Sequence, residues 1–146
     1  MHLYEQKDFF ELVCGSYRRI VGKDLVPRVL TQREAVRWLY EDAPFGLLAH
    51  DTATDPVFVY GNKSAQRRFE YSWEELTALP SRLSAEAPER QARENFLRQV
   101  AERGYVDNYE GIRISKSGKR FPIADVTVWQ LIDVDGTIRG QAARLP

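Results

Sequence analysis

The side chains in this sequence whose types suit chemistry are few: His50, Asp51, Asp55, Asp125 and a single thiol, Cys14. An imidazole that titrates near neutrality beside carboxylates can move protons, so His50, Asp51 and Asp125 would form an acid/base group if the ends of their strands converged. A plainer reading competes with it. Asp51 and Asp55 bound D-T-A-T-D-P, whose polar and proline content suits a hairpin connection. Asp125 falls in mid-strand, where Arg113 or another base would pair with it. The chain has no nucleophile elbow, Gly-rich phosphate loop, H-x-x-E, H-x-x-x-H, C-x-x-C or clustered carboxylate pattern. The expectation is therefore a non-catalytic protein without a zinc or calcium site, with a small His50/Asp51/Asp125 enzyme as the alternative. Cys14 has no histidine neighbour and lies beside an apolar stripe, which makes it a small buried hydrophobe rather than a reactive thiol. His2 is expected to be disordered.

Periodicity places the elements that must hold these residues. Residues 8–21 repeat Phe9, Phe10, Val13, Tyr17, Ile20 and Val21 at helical spacing, and Gly22 ends the run. Thr31 with Glu34 makes a capping box for a helix through Ala35, Trp38 and Leu39, closed at Ala43-Pro44. Residues 45–50 and 57–60 read as adjacent antiparallel strands. Gly61 lets the chain turn, Asn62 caps a short helix carrying Ala65 and Phe69, and Ser72 with Glu75 opens another with Trp73 and Leu76 inward. Residues 88–103 form a longer helix with Ala92, Phe96 and Val100 four apart, ended by Gly104. Strand signals follow over 109–116, 120–132 and 138–145. This order gives an α+β protein with an antiparallel sheet. In the longest strand, simple alternation puts Phe121, Ile123, Asp125, Thr127, Trp129 and Leu131 on one face and Ala124, Val126, Val128 and Ile132 on the other. Both faces are largely apolar, so both need cover: the central helices on one side, the helix 8–21 or a partner subunit on the other.

Bulk properties narrow the classes. A chain of 146 residues makes one domain with a real core. Its 21 basic and 21 acidic residues balance, which argues against non-specific phosphate binding, so no nucleic-acid partner is expected and Arg67-Arg68 and residues 116–120 read as solvated edges. One cysteine excludes an internal disulfide and fits a reducing compartment. No apolar run approaches the roughly 20 residues that span a bilayer, and M-H-L-Y-E-Q-K-D is too charged for a signal peptide. A soluble, cytoplasmic protein with no membrane partner is expected.

The stretch 56–76, P-V-F-V-Y-G-N-K-S-A-Q-R-R-F-E-Y-S-W-E-E-L, resembles sensor modules of the PAS superfamily, which set an asparagine at a helix start after the second strand, then a Phe, a Tyr-Ser pair and Glu-Glu-Leu. Here these are Asn62, Phe69, Tyr71-Ser72 and Glu74-Glu75-Leu76. The tail S-G-K-R-F, V-W-Q-L-I-D-V-D-G and G-Q-A-A is similar to the last hairpin and strand of such a module. More narrowly, A-P-F-G-L-L-A-H, D-P-V-F-V-Y-G-N, L-P-S-R-L-S-A-E and G-Q-A-A resemble the MEKHLA family, found in short stand-alone bacterial proteins and at the ends of plant class III homeodomain-leucine zipper factors. The resemblance covers roughly residues 35 to 145. It implies a PAS-like five-stranded antiparallel sheet, with short helices on one face and N-terminal helices on or near the other. The expected division is a helical extension over 1–34 and the PAS-like domain over 35–146.

The same resemblance bears on cofactors. The flavin-binding PAS branch carries a reactive cysteine in an N-C-R-F stretch, and the matching positions here are Pro80, Ser81, Arg82 and Leu83. Its flavin-edge amides fall at Arg113, Ile123 and Ala142, none of which is an amide. A serine hydroxyl forms no thiol adduct, so flavin is not expected, although Arg82 could contact an anion. Haem-binding relatives carry an axial histidine on the long helix, and residues 88–103 contain none. No cofactor is expected. What remains is a set of apolar and aromatic residues placed between the sheet and the central helices: Leu48, Phe58, Tyr60, Phe69, Leu83, Phe96, Ile123 and Trp129. They either fill a core or line a cavity for a small apolar ligand, with Tyr60 and Trp129 as polar handles. Taken together, the expectation is a sensory or interaction module that binds a small apolar ligand, forms a homodimer or engages a partner protein. No kinase, helix-turn-helix or linker helix follows Leu145-Pro146, so output is expected to pass through association with another chain.

Overall fold

Two capping boxes and one buried asparagine set the helices of the N-terminal half. In the computed structural model, which describes residues 7–146, α1 spans Lys7–Ile20 and α2 spans Gln32–Glu41. The Thr31 hydroxyl accepts from the Glu34 amide while the Glu34 carboxylate accepts from the Thr31 amide. The same reciprocal pair, Ser72 with Glu75, starts α4 over Trp73–Leu76. Between them lie β1 over Gly46–His50, β2 over Phe58–Gly61 and α3 over Lys63–Phe69. A 3-10 turn, Ser81–Ser84, leads to α5 over Ala87–Arg103; then come β3 over Tyr105–Ile114, β4 over Arg120–Ile132 and β5 over Ile138–Leu145. All pairings are antiparallel and the strand order is β2-β1-β5-β4-β3. His2 lies outside the described residues, and the boundary expected at residue 34 falls inside α2. Among the described residues no helix is long and apolar enough to cross a membrane.

Asn62 ties three elements together. Its Oδ1 accepts from the amides of Leu47 (2.9 Å) and Ala65 (3.0 Å), and its Nδ2 donates to the carbonyls of Leu39 and Phe45, both at 3.0 Å. Every hydrogen-bonding site of this fully buried amide is used, so the end of α2, the entry to β1 and the start of α3 are fixed relative to one another.

The sheet has a core on each face. On one side α1 and α2 cover Leu47, Ala49, Tyr60, Trp129 and Leu131. The Ser16 hydroxyl donates to the Ile132 carbonyl (3.1 Å) and accepts from its amide (2.9 Å), and Tyr17 meets Trp129 edge-on at 4.7 Å. The chain's own N-terminal helices thus supply the cover that the sequence assigned either to them or to a partner subunit. On the other side α3 and α5 pack over Leu48, Phe58, Ile123, Val126 and Val128.

Register shifts interrupt the ladders at four places, and two of them move candidate residues from one face to the other. The β1–β2 register shifts so that His50 faces Phe58 while Ala49 faces Tyr60, leaving Val59 as an extra residue in β2. In β4, Tyr109 faces Val126 but Gly111 faces Ile123, and Asp125 sits in the left-handed region at φ 56°. These bulges correct the expected faces: Ile123 shares its side with Val126 and Val128, whereas Trp129 and Leu131 look the other way.

Candidate functional site

Between the sheet and α5 lies a cavity of about 50 Å3 for water-sized spheres. A water needs about 10–15 Å3 by this measure, so the space holds a few small groups. Five residues proposed from sequence line it: Leu48, Phe58, Phe69, Phe96 and Ile123. Three do not. Tyr60 and Trp129 belong to the opposite core because the bulges at Val59 and Asp125 turn them there. Tyr60 stacks on Phe9 at 5.0 Å, and the buried indole N–H of Trp129 has no hydrogen-bond partner among the described residues. Leu83 is half-buried on the 3-10 turn, outside the lining.

The lining also has polar members. Arg93 and Arg113 reach the cavity from α5 and β3, and Phe96 stacks on Tyr109 beside them at 3.7 Å. Arg113, only 8 % exposed, donates to the Ile112 carbonyl (3.0 Å) and the Tyr109 hydroxyl (3.1 Å). Arg93 has no hydrogen bond or ion pair among the described residues. Burial, and then the Arg113 charge, lower its pKa to about 10 against the opposing pull of Tyr109 and Glu94, so it stays protonated at neutral pH.

At the far end His50 and Gln141 meet the cavity. The His50 Nδ1 lies 2.9 Å from the Asp51 carbonyl, which can only accept, so Nδ1 carries the proton. Burial, aided by the Arg93 charge, pushes its pKa below the usual value, against the Asp51 hydrogen bond, the Asp51 charge and Gln141. In the neutral ring Nε2 is therefore a bare acceptor, and it has no hydrogen-bond partner among the described residues. Gln141 Nε2 donates to the Leu97 carbonyl (3.2 Å) and to Gln130 Oε1 (2.9 Å), which fixes its amide and leaves Oε1 unpartnered among the described residues as well. His50, Arg93, Leu97 and Gln141 also form the wall towards an open polar groove of about 670 Å3.

Sequence reasoning missed Arg93, Gln130 and Gln141. The available signal was on α5: Arg93 lies three and four residues before Phe96 and Leu97, and this face is the buried one, whereas Ala92 is exposed.

The acid/base constellation does not assemble. Through the ladders His50 pairs with Gln141 and Gln141 with Gln130, which puts Asp125 about 15 Å along β4 and about 10 Å across the sheet from His50. Asp51 Oδ1 accepts from the Ala53 (3.1 Å) and Val57 (3.0 Å) amides, and Asp55 pairs with Arg82, so both are turn residues. Asp125 is exposed and does not pair with Arg113. The Cys14 thiol is pushed up to about 12 by burial and stays protonated. Among the described residues no group of three or more His, Cys, Asp or Glu could hold a metal ion.

Solved structures with the same arrangement are PAS and light-oxygen-voltage domains. The PAS domain of a protein from Colwellia psychrerythraea is 13 % identical at a TM-score of 0.64, over 73 % of this chain and 88 % of that one. A variant of the fungal photoreceptor VVD is 20 % identical at 0.62, over 92 % of both chains. A PAS domain from a two-component sensor histidine kinase is 16 % identical at 0.61, over 75 % and 90 %. At these identities the likeness is one of fold. No curated protein matches the chain. The family model for the MEKHLA domain matches residues 7–146, α1 and the whole five-stranded sheet included, and the chain belongs to the MEKHLA domain family.

Proposed function

We propose that this protein is a non-catalytic sensory module whose state is set by a small molecule between the sheet and α5, and which signals by associating with another chain. The observation that carries this is the cavity itself, an unfilled space in a core whose other face is packed by α1 and α2. Among the described residues, cover of that face leaves no open apolar sheet for a partner, and the exposed large hydrophobics Val29, Ile112, Val134 and Ile138 are spread over separate loops and strands. Ligand binding is thus favoured over a purely structural interaction role. Association stays in the proposal because a structural relative, the fungal photoreceptor Vivid, forms a light-state dimer.

The module is proposed to act without flavin or haem. An isoalloxazine, three fused rings, does not fit about 50 Å3, and three of the positions that would meet it are Arg113, Ile123 and Ala142. Ser81, at the position of the reactive cysteine, opens on the outer groove. Haem is disfavoured by the same volume, far too small for a porphyrin, and by an α5 that carries no histidine. Native mass spectrometry of the purified protein tests the reading. A bound small molecule of low mass, or a ligand-dependent change of oligomeric state, is expected; an unliganded monomer that no small molecule shifts would overturn it.

A further inference from the structure

Arg93 and Arg113 both line one cavity, and among the described residues no aspartate or glutamate does. Like charges brought together, with Arg113 buried and Arg93 half-buried, are costly without an acid unless an anion joins them. The chain has acids to spare, but its ion pairs among the described residues all lie elsewhere, on the surface. With two of five N–H groups used by Ile112 and Tyr109, Arg113 keeps three donors, and Arg93 keeps all of its own. The opposite end is complementary: His50 Nε2 and Gln141 Oε1 are buried acceptors in need of a donor. The wall between them is apolar, formed by side chains such as Phe58, Phe96 and Ile123.

We propose that the cavity binds a small organic carboxylate, a short hydroxy acid, with its carboxylate on Arg93 and Arg113 and its single hydroxyl proton shared between the acceptors His50 Nε2 and Gln141 Oε1. The inference rests on the cavity being the ligand site and names the ligand's chemical class. Guanidinium groups bind carboxylates through parallel charge-assisted hydrogen bonds, a geometry a neutral polar group of the same size cannot match. The volume of about 50 Å3 sets the size at about three to five water-sized groups, which excludes aromatic and long-chain acids.

Calorimetric titration of the whole protein at neutral pH with lactate, propionate, 1,2-propanediol and sulfate tests this. Lactate is expected to bind at least about tenfold more tightly than 1,2-propanediol, which has the same carbon skeleton and no carboxylate, and severalfold more tightly than propionate. Arg93→Met keeps the apolar stem of a half-buried side chain and should fold; it is expected to lower lactate affinity at least about tenfold and 1,2-propanediol affinity much less. Equal affinity for lactate and 1,2-propanediol in the unmodified protein would sink the carboxylate while leaving the cavity as a ligand site. Sulfate binding as tightly as lactate would replace the organic acid with a generic anion. Propionate matching lactate would remove the hydroxyl from the assignment. Binding by none of the four would overturn this inference, and the cavity reading stands or falls separately on native mass spectrometry.

Discussion

Asn62 is the residue on which the most hydrogen bonds depend, and its replacement separates charge from shape. Asn62→Asp keeps the volume and both acceptor contacts but aims a carboxylate at the Leu39 and Phe45 carbonyls. Two buried acceptors lose their donor, and a loss of about 3 kcal/mol or more is expected in urea unfolding at pH 7, with recovery as the pH approaches the carboxyl's own range. Gly140 is constrained differently. Its φ is 152°, and a Cβ there would stand 2.0 Å from the His50 carbonyl oxygen, which belongs to the neighbouring strand. Gly140→Ala should therefore cost at least about 3 kcal/mol and disturb the His50 end of the cavity; a melting temperature within a degree of the parent would contradict this packing. For His50 the sign follows from its depressed pKa: the unfolded chain takes up the proton first. Stability is then complete above the unfolded value near 6.5 and declines as pH falls through it towards the lower folded value. His50→Gln should flatten that part of the profile. Glu75, held to about 2 by Lys116 and the Ser72 amide, contributes with the same sign in a lower window, losing its share as pH falls from the ordinary carboxylate range towards 2.

At the scale of elements, α1 is a structural member of the domain rather than an appendage. Removing residues 1–22 would uncover the face carrying Trp129, Tyr60 and Leu131. The buried Val13 and Tyr17 side chains alone account for about 3–6 kcal/mol of that packing. The truncated chain is expected to lose most of its stability or to self-associate, read by size-exclusion chromatography and thermal melting. A monomer of unchanged melting temperature would refute it. The bulge in β4 can be probed without touching the core, since Asp125 is exposed: Asp125→Val places a β-branched residue in the left-handed region and should cost about 1–2 kcal/mol. These two elements also show what the sequence could and could not reveal. Caps and terminators marked the helices, because Thr31, Asn62, Ser72 and Gly104 act through local hydrogen bonds and backbone preferences. The assignment of side chains to sheet faces assumed strict alternation, and the extra residues at Val59 and Asp125 broke it. Asp125, a polar residue inside an apolar run, was the visible trace. Arg93 escaped for another reason. Counting apolar residues on α5 cannot find a charged side chain on its buried face, so Ala92 took its place in the expected stripe.

For the whole molecule, two cores on one sheet divide the labour. The aromatic layer under α1 and α2, where Tyr60 contacts Phe9, Tyr40 and Trp73 within 6.2 Å, is closed by interlocked rings. The other layer keeps its space and its unpaired polar groups. Filling that space should raise stability by mass action, so a ligand at one hundred times its dissociation constant is expected to add about 2.7 kcal/mol in chemical unfolding. A bulge in this sheet acts as a frameshift does in a coding sequence, moving everything beyond it to the other side. Deleting a single residue at 124–125 would straighten β4 and leave Ile123, Val126 and Val128 on one face and Trp129 and Leu131 on the other, whereas ironing out the bulge with the residue kept would carry Trp129 towards α5. Grafts or chimaeras between relatives should therefore be spliced outside β2 and β4, where an uncounted residue cannot turn the protein inside out.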